Sequence, residues 1–125
     1  MNINLKATNM ELSDSIRDYV EKRITHLGKL LAQHEGEVNI DFEVSKTTNH
    51  HESGKIYRAD CNVTMFGPGG GMFYSSSDQE DLYAAIDDVK DKIFKEVKRT
   101  KSRKQALWKK GATRLKSILK GLTKR

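Results

Sequence analysis

Residues 76–104 read SSDQEDLYAAIDDVKDKIFKEVKRTKSRK, and the fold is decided by how they are read. Leu82, Ile86, Val89, Ile93 and Val97 recur at steps of three and four, which puts them on one stripe of a helix that needs a sheet to cover it. Lys92, Lys95, Lys98 and Arg99 project from the opposite side, while Asp78, Glu80, Asp81, Asp87 and Asp88 crowd its beginning. An acidic start and a basic end suit the helix macrodipole. Ser77 with Glu80 predicts a capping box, in which each side chain satisfies a backbone donor that the first turn leaves unpaired.

Working back from this helix, Met72 to Ser76 reads as the second arm of a hairpin whose turn is Gly67, Pro68, Gly69, Gly70 and Gly71, the sharpest turn signal in the chain. The first arm, Ile56 to Phe66, alternates with Tyr57, Ala59, Cys61, Val63 and Met65 on one face. KTTNHHESGK before it is a polar loop. Glu37 to Ser45 alternates cleanly, Val38, Ile40, Phe42 and Val44 inward and Asn39, Asp41 and Glu43 outward, as in an antiparallel sheet with one wet face. Ser13 predicts an N-cap for a helix from about Asp14 to Leu31, with Ile16, Val20, Ile24 and Leu27 at helical spacing. Asn2 to Thr8 alternates as a short strand whose partner periodicity does not name. The fold class is therefore α+β: a two-layer β-α-β-β-β-α sandwich, a four-stranded sheet with two helices on one face.

Downstream, Trp108, Ala112, Leu115, Leu119 and Leu122 step by four and three among Lys109, Lys110, Arg114, Lys116 and Lys120. This predicts a basic amphipathic helix, broken or softened at Gly111 and Gly121; no small-domain core needs it, which leaves open that it is ordered only on a partner. The chain divides into a domain over 1–104 and a basic tail over 105–125. Charge follows the same division: residues 1–89 hold eight Lys and Arg against fifteen Asp and Glu, net −7, and residues 90–125 hold fifteen against two, net +13. So dense a basic block is the footprint of a polyanion partner, nucleic acid first and an anionic membrane second; a solvated basic tail is the plain alternative.

A chain of 125 residues with nine aromatics and a mean hydropathy of −0.71 suits one domain with a thin core under a charged surface. The single Cys61 leaves no intramolecular disulfide, and no apolar run is long enough to span a membrane, so a soluble cytoplasmic protein is expected. Chemistry is poorly supported. His26, His34, His50 and His51 match no zinc spacing, and Cys61 lies at an inward strand position, a small buried hydrophobe rather than a nucleophile. Adjacent Asp87 and Asp88 face different directions on a helix, which is poor for paired acid and base work. Gly67 to Gly71 lacks the Lys and the following helix of a phosphate loop. No metal, no cofactor and no enzymatic activity are expected.

Two segments together resemble a known family. HESGKIYR, with His51, Gly54, Tyr57 and Arg58, and DLYAAIDDVKDKI, Asp81 to Ile93, look like the paired signature of the bacterial ribosome hibernation promoting factors, also called ribosome-associated inhibitors, ribosomal subunit interface proteins or sigma-54 modulation proteins. INLKATNMELSDSIRDYVEKRI, Ile3 to Ile24, is similar to that family's first strand and helix, and the resemblance covers roughly Met1 to Lys104. It implies a β-α-β-β-β-α domain similar in outline to double-stranded RNA-binding domains. It further implies binding to the small ribosomal subunit and the intact ribosome, on 16S rRNA in the decoding channel, where mRNA and the A-site and P-site tRNAs would sit, so that translation stops by occupancy. Carried over by position, the rRNA-binding residues are Lys22, Arg23 and Lys29 on the first helix and Lys90, Lys92, Lys95, Lys98, Arg99 and Lys101 on and after the second. For Lys22, Arg23 and Lys29 a second reading, as ordinary solvated helix residues, stays open.

Tyr83, Ala84 and Ala85 are assigned mostly to helix packing, with binding as the second reading. In the tail, Arg103, Lys104, Trp108, Lys109, Lys110 and Arg114 are the candidate contacts, with Trp108 either stacked on a base or packed back onto the domain. Long members of the family add a second domain that dimerises ribosomes, and 125 residues leave no room for it, so no self-dimerisation domain is expected. A nonribosomal RNA- or DNA-binding module is the alternative, followed by a membrane-surface protein anchored by the tail helix, although no membrane partner is expected.

Overall fold

The computed structural model describes residues 1–47 and 56–123, the side chains of 104–109 and 117–123 excepted. The elements run β1 (Asn2–Thr8), α1 (Asp14–Leu31), β2 (Val38–Lys46), β3 (Tyr57–Met65), β4 (Gly71–Gln79) and α2 (Leu82–Thr123). The four strands form one sheet in the order β1-β2-β3-β4. β2, β3 and β4 make an antiparallel meander, with Phe42 opposite Cys61 and Cys61 opposite Ser75. β1 lies at the edge, parallel to β2, with Leu5 opposite Phe42. A helical crossover is what two parallel neighbours require, and α1 supplies it.

Period-two patterning divides the sheet into a dry face and a wet one. Val38, Ile40, Phe42, Val44, Ala59, Cys61, Val63, Phe73, Ser75 and Ser77 point under the helices and are buried. Both helices cover this face: Val20, Ile24, Leu27 and Leu31 of α1, and Leu82, Ala85, Ile86, Val89, Ile93 and Val97 of α2, complete one core. Each large aliphatic buried here contributes about 1.5–3 kcal/mol relative to exposure. Cys61 is 1% exposed, and burial, then the charges of Asp41 and Asp60, push its thiol up to about 12.

Local signals fix most element ends. Ser13 Oγ accepts from the Ile16 amide at 3.2 Å and opens α1. Between β3 and β4, Gly67 and Gly69 take positive φ, 83° and 78°, and the Gly70 amide closes the turn on the Gly67 carbonyl at 3.0 Å.

Three readings change. β4 continues to Gln79, so Ser77 is a buried strand residue and the Ser77–Glu80 capping box does not form. The cap is Asp81, whose Oδ1 accepts from the Tyr83 amide at 3.3 Å while its carbonyl accepts from the Ala85 amide. The carboxylates read as the helix's acidic start lie mostly before it, and its first turn holds none. Finally, α2 does not break at Gly111 or Gly121: one helix of 42 residues runs from Leu82 to Thr123. Two glycines cost a helix about 1 kcal/mol each, too little to stop a run rich in Lys, Arg, Leu and Ala.

Candidate nucleic-acid interface

The two helices lie side by side and point the same way. Tyr19 meets Asp87, His26 meets Phe94 and Gln33 meets Lys101, a constant offset of 68 residues that only parallel helices in register produce. The seam between them is polar. Tyr19 and Tyr83 pack edge to face with centroids 4.7 Å apart. Tyr19 Oη donates to Asp87 Oδ2 at 2.7 Å, Arg23 Nε to Asp87 Oδ1 at 2.5 Å, and Arg23 Nη2 to Tyr19 Oη at 2.9 Å. Burial acts to raise the Asp87 carboxyl, but the hydrogen bonds from Tyr19 and Arg23 outweigh it and hold the group below its usual value.

The nine domain cations named from the sequence therefore separate into two kinds. Lys22, Lys29, Lys95, Lys98 and Arg99 are exposed. Of these, Lys95, Lys98 and Arg99 project from the solvent side of α2, opposite buried Ile93 and Val97. The other four are engaged within the protein: Arg23 with Asp87, Lys90 with Asp91 at 2.9 Å, Lys92 with Asp88 at 3.0 Å, and Lys101 with the Gln33 side-chain oxygen. Lys92 also donates to the Ser76 carbonyl at the edge of β4. Hydrogen bonds from Ser77 and then Lys92 hold the Asp88 carboxyl below its usual value. In the tail, Arg103, Lys110 and Arg114 are exposed, whereas the side chains of Lys104, Trp108 and Lys109 lie outside the described residues.

Sequence reasoning missed the Tyr19–Arg23–Asp87 ring. Tyr19 and Arg23 are one helical turn apart, a legible spacing, but Asp87 lies 64 residues from Arg23, and only the packed helices bring them together.

The opposite, open face of the sheet has the other sign. Asp41, Glu43 and Asp60, with Asn4, Lys6, Asn62 and Tyr74, line a shallow hollow of about 390 Å³. Arg58 is spent there on Asp60 and Asp78, at 3.3 and 3.0 Å, and hydrogen bonds with Tyr74 and Asp60 raise its pKa further. Of the sequence's metal candidates, His34 bonds the Phe66 carbonyl, His26 stacks near Phe94, and His50 and His51 lie outside the described residues, as does Gly54 of the family signature. Among the described residues, no three His, Cys, Asp or Glu side chains converge as a metal site, and no helix is long and apolar enough to cross a membrane.

The family model described as "Sigma 54 modulation protein / S30EA ribosomal protein" matches residues 3–105. The chain belongs to this family. A relative from Pseudomonas putida, named ribosome hibernation promoting factor, is 27% identical over 116 residues, which cover 91% of this chain and 100% of the relative. A chloroplastic ribosome-binding factor of Spinacia oleracea is 31% identical over 100 residues, 79% of this chain but only 32% of its own length. Thus the chain spans about a third of the spinach protein. Among solved structures, the N-terminal domain of Thermus thermophilus Protein Y is similar with a TM-score of 0.60 and 35% identity, covering 79% of this chain and 98% of that one. A ribosomal subunit interface protein of Coxiella burnetii, at 19% identity and a TM-score of 0.59, shares the fold. The S30EA match ends at residue 105, while α2 continues to Thr123.

Proposed function

We propose that this S30EA protein is a cytoplasmic ribosome hibernation factor. It binds 16S rRNA in the decoding channel of the small subunit, overlaps the positions of mRNA and of the A-site and P-site tRNAs, and inhibits translation reversibly by occupancy. The observation that carries this reading is the exposed row Lys95, Lys98 and Arg99 on α2, next to a parallel α1 that exposes Lys22 and Lys29, in a chain whose relatives are named for ribosome hibernation. Folded rRNA offers phosphates, 2′-hydroxyls and shape rather than readable base edges, and a rigid two-helix surface suits that target. Arg103, Lys110 and Arg114 extend the same chemistry along the projecting part of α2, together with Lys104, Trp108 and Lys109. Lys90, Lys92 and Lys101, already paired within the protein, contribute less than the free cations.

The test is cosedimentation with separated subunits and intact ribosomes at two salt concentrations, with and without tRNAs in the A and P sites. Stoichiometric binding to the small subunit, lost when the tRNAs are present and weakened by salt, is expected. Binding that is equal on free RNA and on ribosomes, or insensitive to the tRNAs, would replace this reading with a general nucleic-acid module.

A further inference from the structure

Arg23 sits on the seam with one edge of its guanidinium spent and the other open. Nε and Nη2 are held by Asp87 and by Tyr19, and Tyr19 in turn donates to the second Asp87 oxygen, so the three side chains close a ring. The guanidinium carbon also lies 4.5 Å from the centroid of the Tyr19 ring, which fixes the plane. A guanidinium has five N–H groups. Two are used, and among the described residues nothing accepts from the other three. The side chain is 37% exposed, so it is not sealed within the seam.

We propose that Arg23 is a pre-set phosphate clamp on the α1–α2 seam, and that Asp87 and Tyr19 are positioning residues that aim it. This rests on the reading of the two helices as the rRNA-binding surface. A planar guanidinium fixed along Nε and Nη2 leaves Nη1 and the second Nη2 hydrogen as a fork matched to two oxygens of one phosphate. Its rotamer freedom is surrendered when the protein folds rather than when RNA binds, which lowers the cost of binding. Because Asp87 cancels most of the Arg23 charge at a distance, the clamp attracts little from afar. Long-range attraction is left to Lys95, Lys98 and Arg99, and Arg23 selects geometry.

An interhelical ion pair with no role beyond holding α1 to α2 would account for the same contacts, and the sign of one substitution separates the two. Asp87→Asn removes a negative charge from a protein that binds a polyanion, so charge alone calls for tighter binding. The clamp calls for the reverse: roughly tenfold weaker binding to small subunits, because the guanidinium loses its aim. Arg23→Gln is expected to weaken binding similarly and to lower the slope of log affinity against log salt by about one phosphate's worth. Asp87→Asn added to Arg23→Gln brings no further loss, and Arg23→Lys, which keeps the charge without the fork, does not restore affinity. Tyr19→Phe, which keeps the ring and removes only the hydroxyl, serves as the milder variant, and thermal melting confirms that each protein compared is folded. Asp87→Asn binding as tightly as the unaltered protein or more tightly, or losses that simply add in the double variant, would overturn the clamp. Failure of the unaltered protein to bind small subunits would instead overturn the surface reading, and the clamp with it.

Discussion

Lys101 donates to the side-chain oxygen of Gln33, tying α2 to the chain just past the end of α1. Among the described residues, the buried ones of α2 end one turn earlier, at Val97. From Lys101 to Thr123 the helix runs on for about 33 Å at roughly 1.5 Å per residue, with Leu115 57% exposed. Deleting residues 105–125 should leave the melting temperature of the domain nearly unchanged, since every core residue among the described ones precedes residue 105. Ribosome affinity should fall at least tenfold at about 0.1 M salt, with a shallower salt slope. Unchanged affinity in a cosedimentation titration would remove the tail from the mechanism.

Charge reversal on the solvent side of α2 tests the domain surface alone. Lys95→Glu, Lys98→Glu and Arg99→Glu together should abolish subunit binding and shift thermal stability by little, because exposed positions away from caps and cores rarely move it beyond about 0.5 kcal/mol. Single Lys→Ala changes should each lower the salt slope by about one phosphate's worth.

The cap assignment is testable at two residues. Asp81→Ala should cost about 1 kcal/mol in urea unfolding through loss of the bond to the Tyr83 amide. Ser77→Ala acts elsewhere: it removes the hydroxyl that bonds the Asp88 carboxylate and accepts from Gln79 at 3.0 Å under the helix. Its signature is a rise in the Asp88 pKa, read by carboxyl NMR titration, and a helix start that does not fray.

Much of the fold was legible because its signals are local. Ser13 with the period of α1 predicts Asp14–Leu31, the bounds observed, and the parity of β2 and β3 names their inward residues. β4 hid its last turn of alternation because its inward positions after Phe73 are Ser75 and Ser77, small polar residues that fit beneath α2 and carry no hydrophobic signal. The partner of β1 was not legible, since period two states which face is dry and not which strand lies alongside. At the site, the sequence supplied the exposed cations, but which of its nine were already paired depended on contacts such as Arg23 with Asp87 that span the whole domain.

Stability should respond to acid in a defined window. The folded-state pKa values of Asp87 and Asp88 lie below the ordinary aspartate value of 3.8. Each therefore contributes stability that is complete above that value and lost as pH falls below it, because the unfolded chain takes up the proton first. Urea midpoints measured from pH 6 downward should hold steady to about pH 4 and then decline. In Asp87→Asn the decline should be smaller.

Cys61 should be inert in the native protein. Buried, with its thiol pushed up to about 12, it offers almost no thiolate at neutral pH. A thiol-reactive dye should label it only at the rate of unfolding. Rapid native labelling would contradict the inward placement of β3.

On the proposed function, the long reach of α2 sets the order of events when the protein approaches rRNA. After Glu96 the chain holds no acidic residue, and the helix carries its cations about 33 Å beyond Lys101, several times the distance of about 8 Å over which physiological salt screens charge. The tip therefore feels a polyanion while the acidic sheet is still electrically invisible to it. On that proposal contact begins at the far end of a stiff lever whose other end is the domain itself, and the first touch also limits the arc through which the two-helix surface has to turn before it seats.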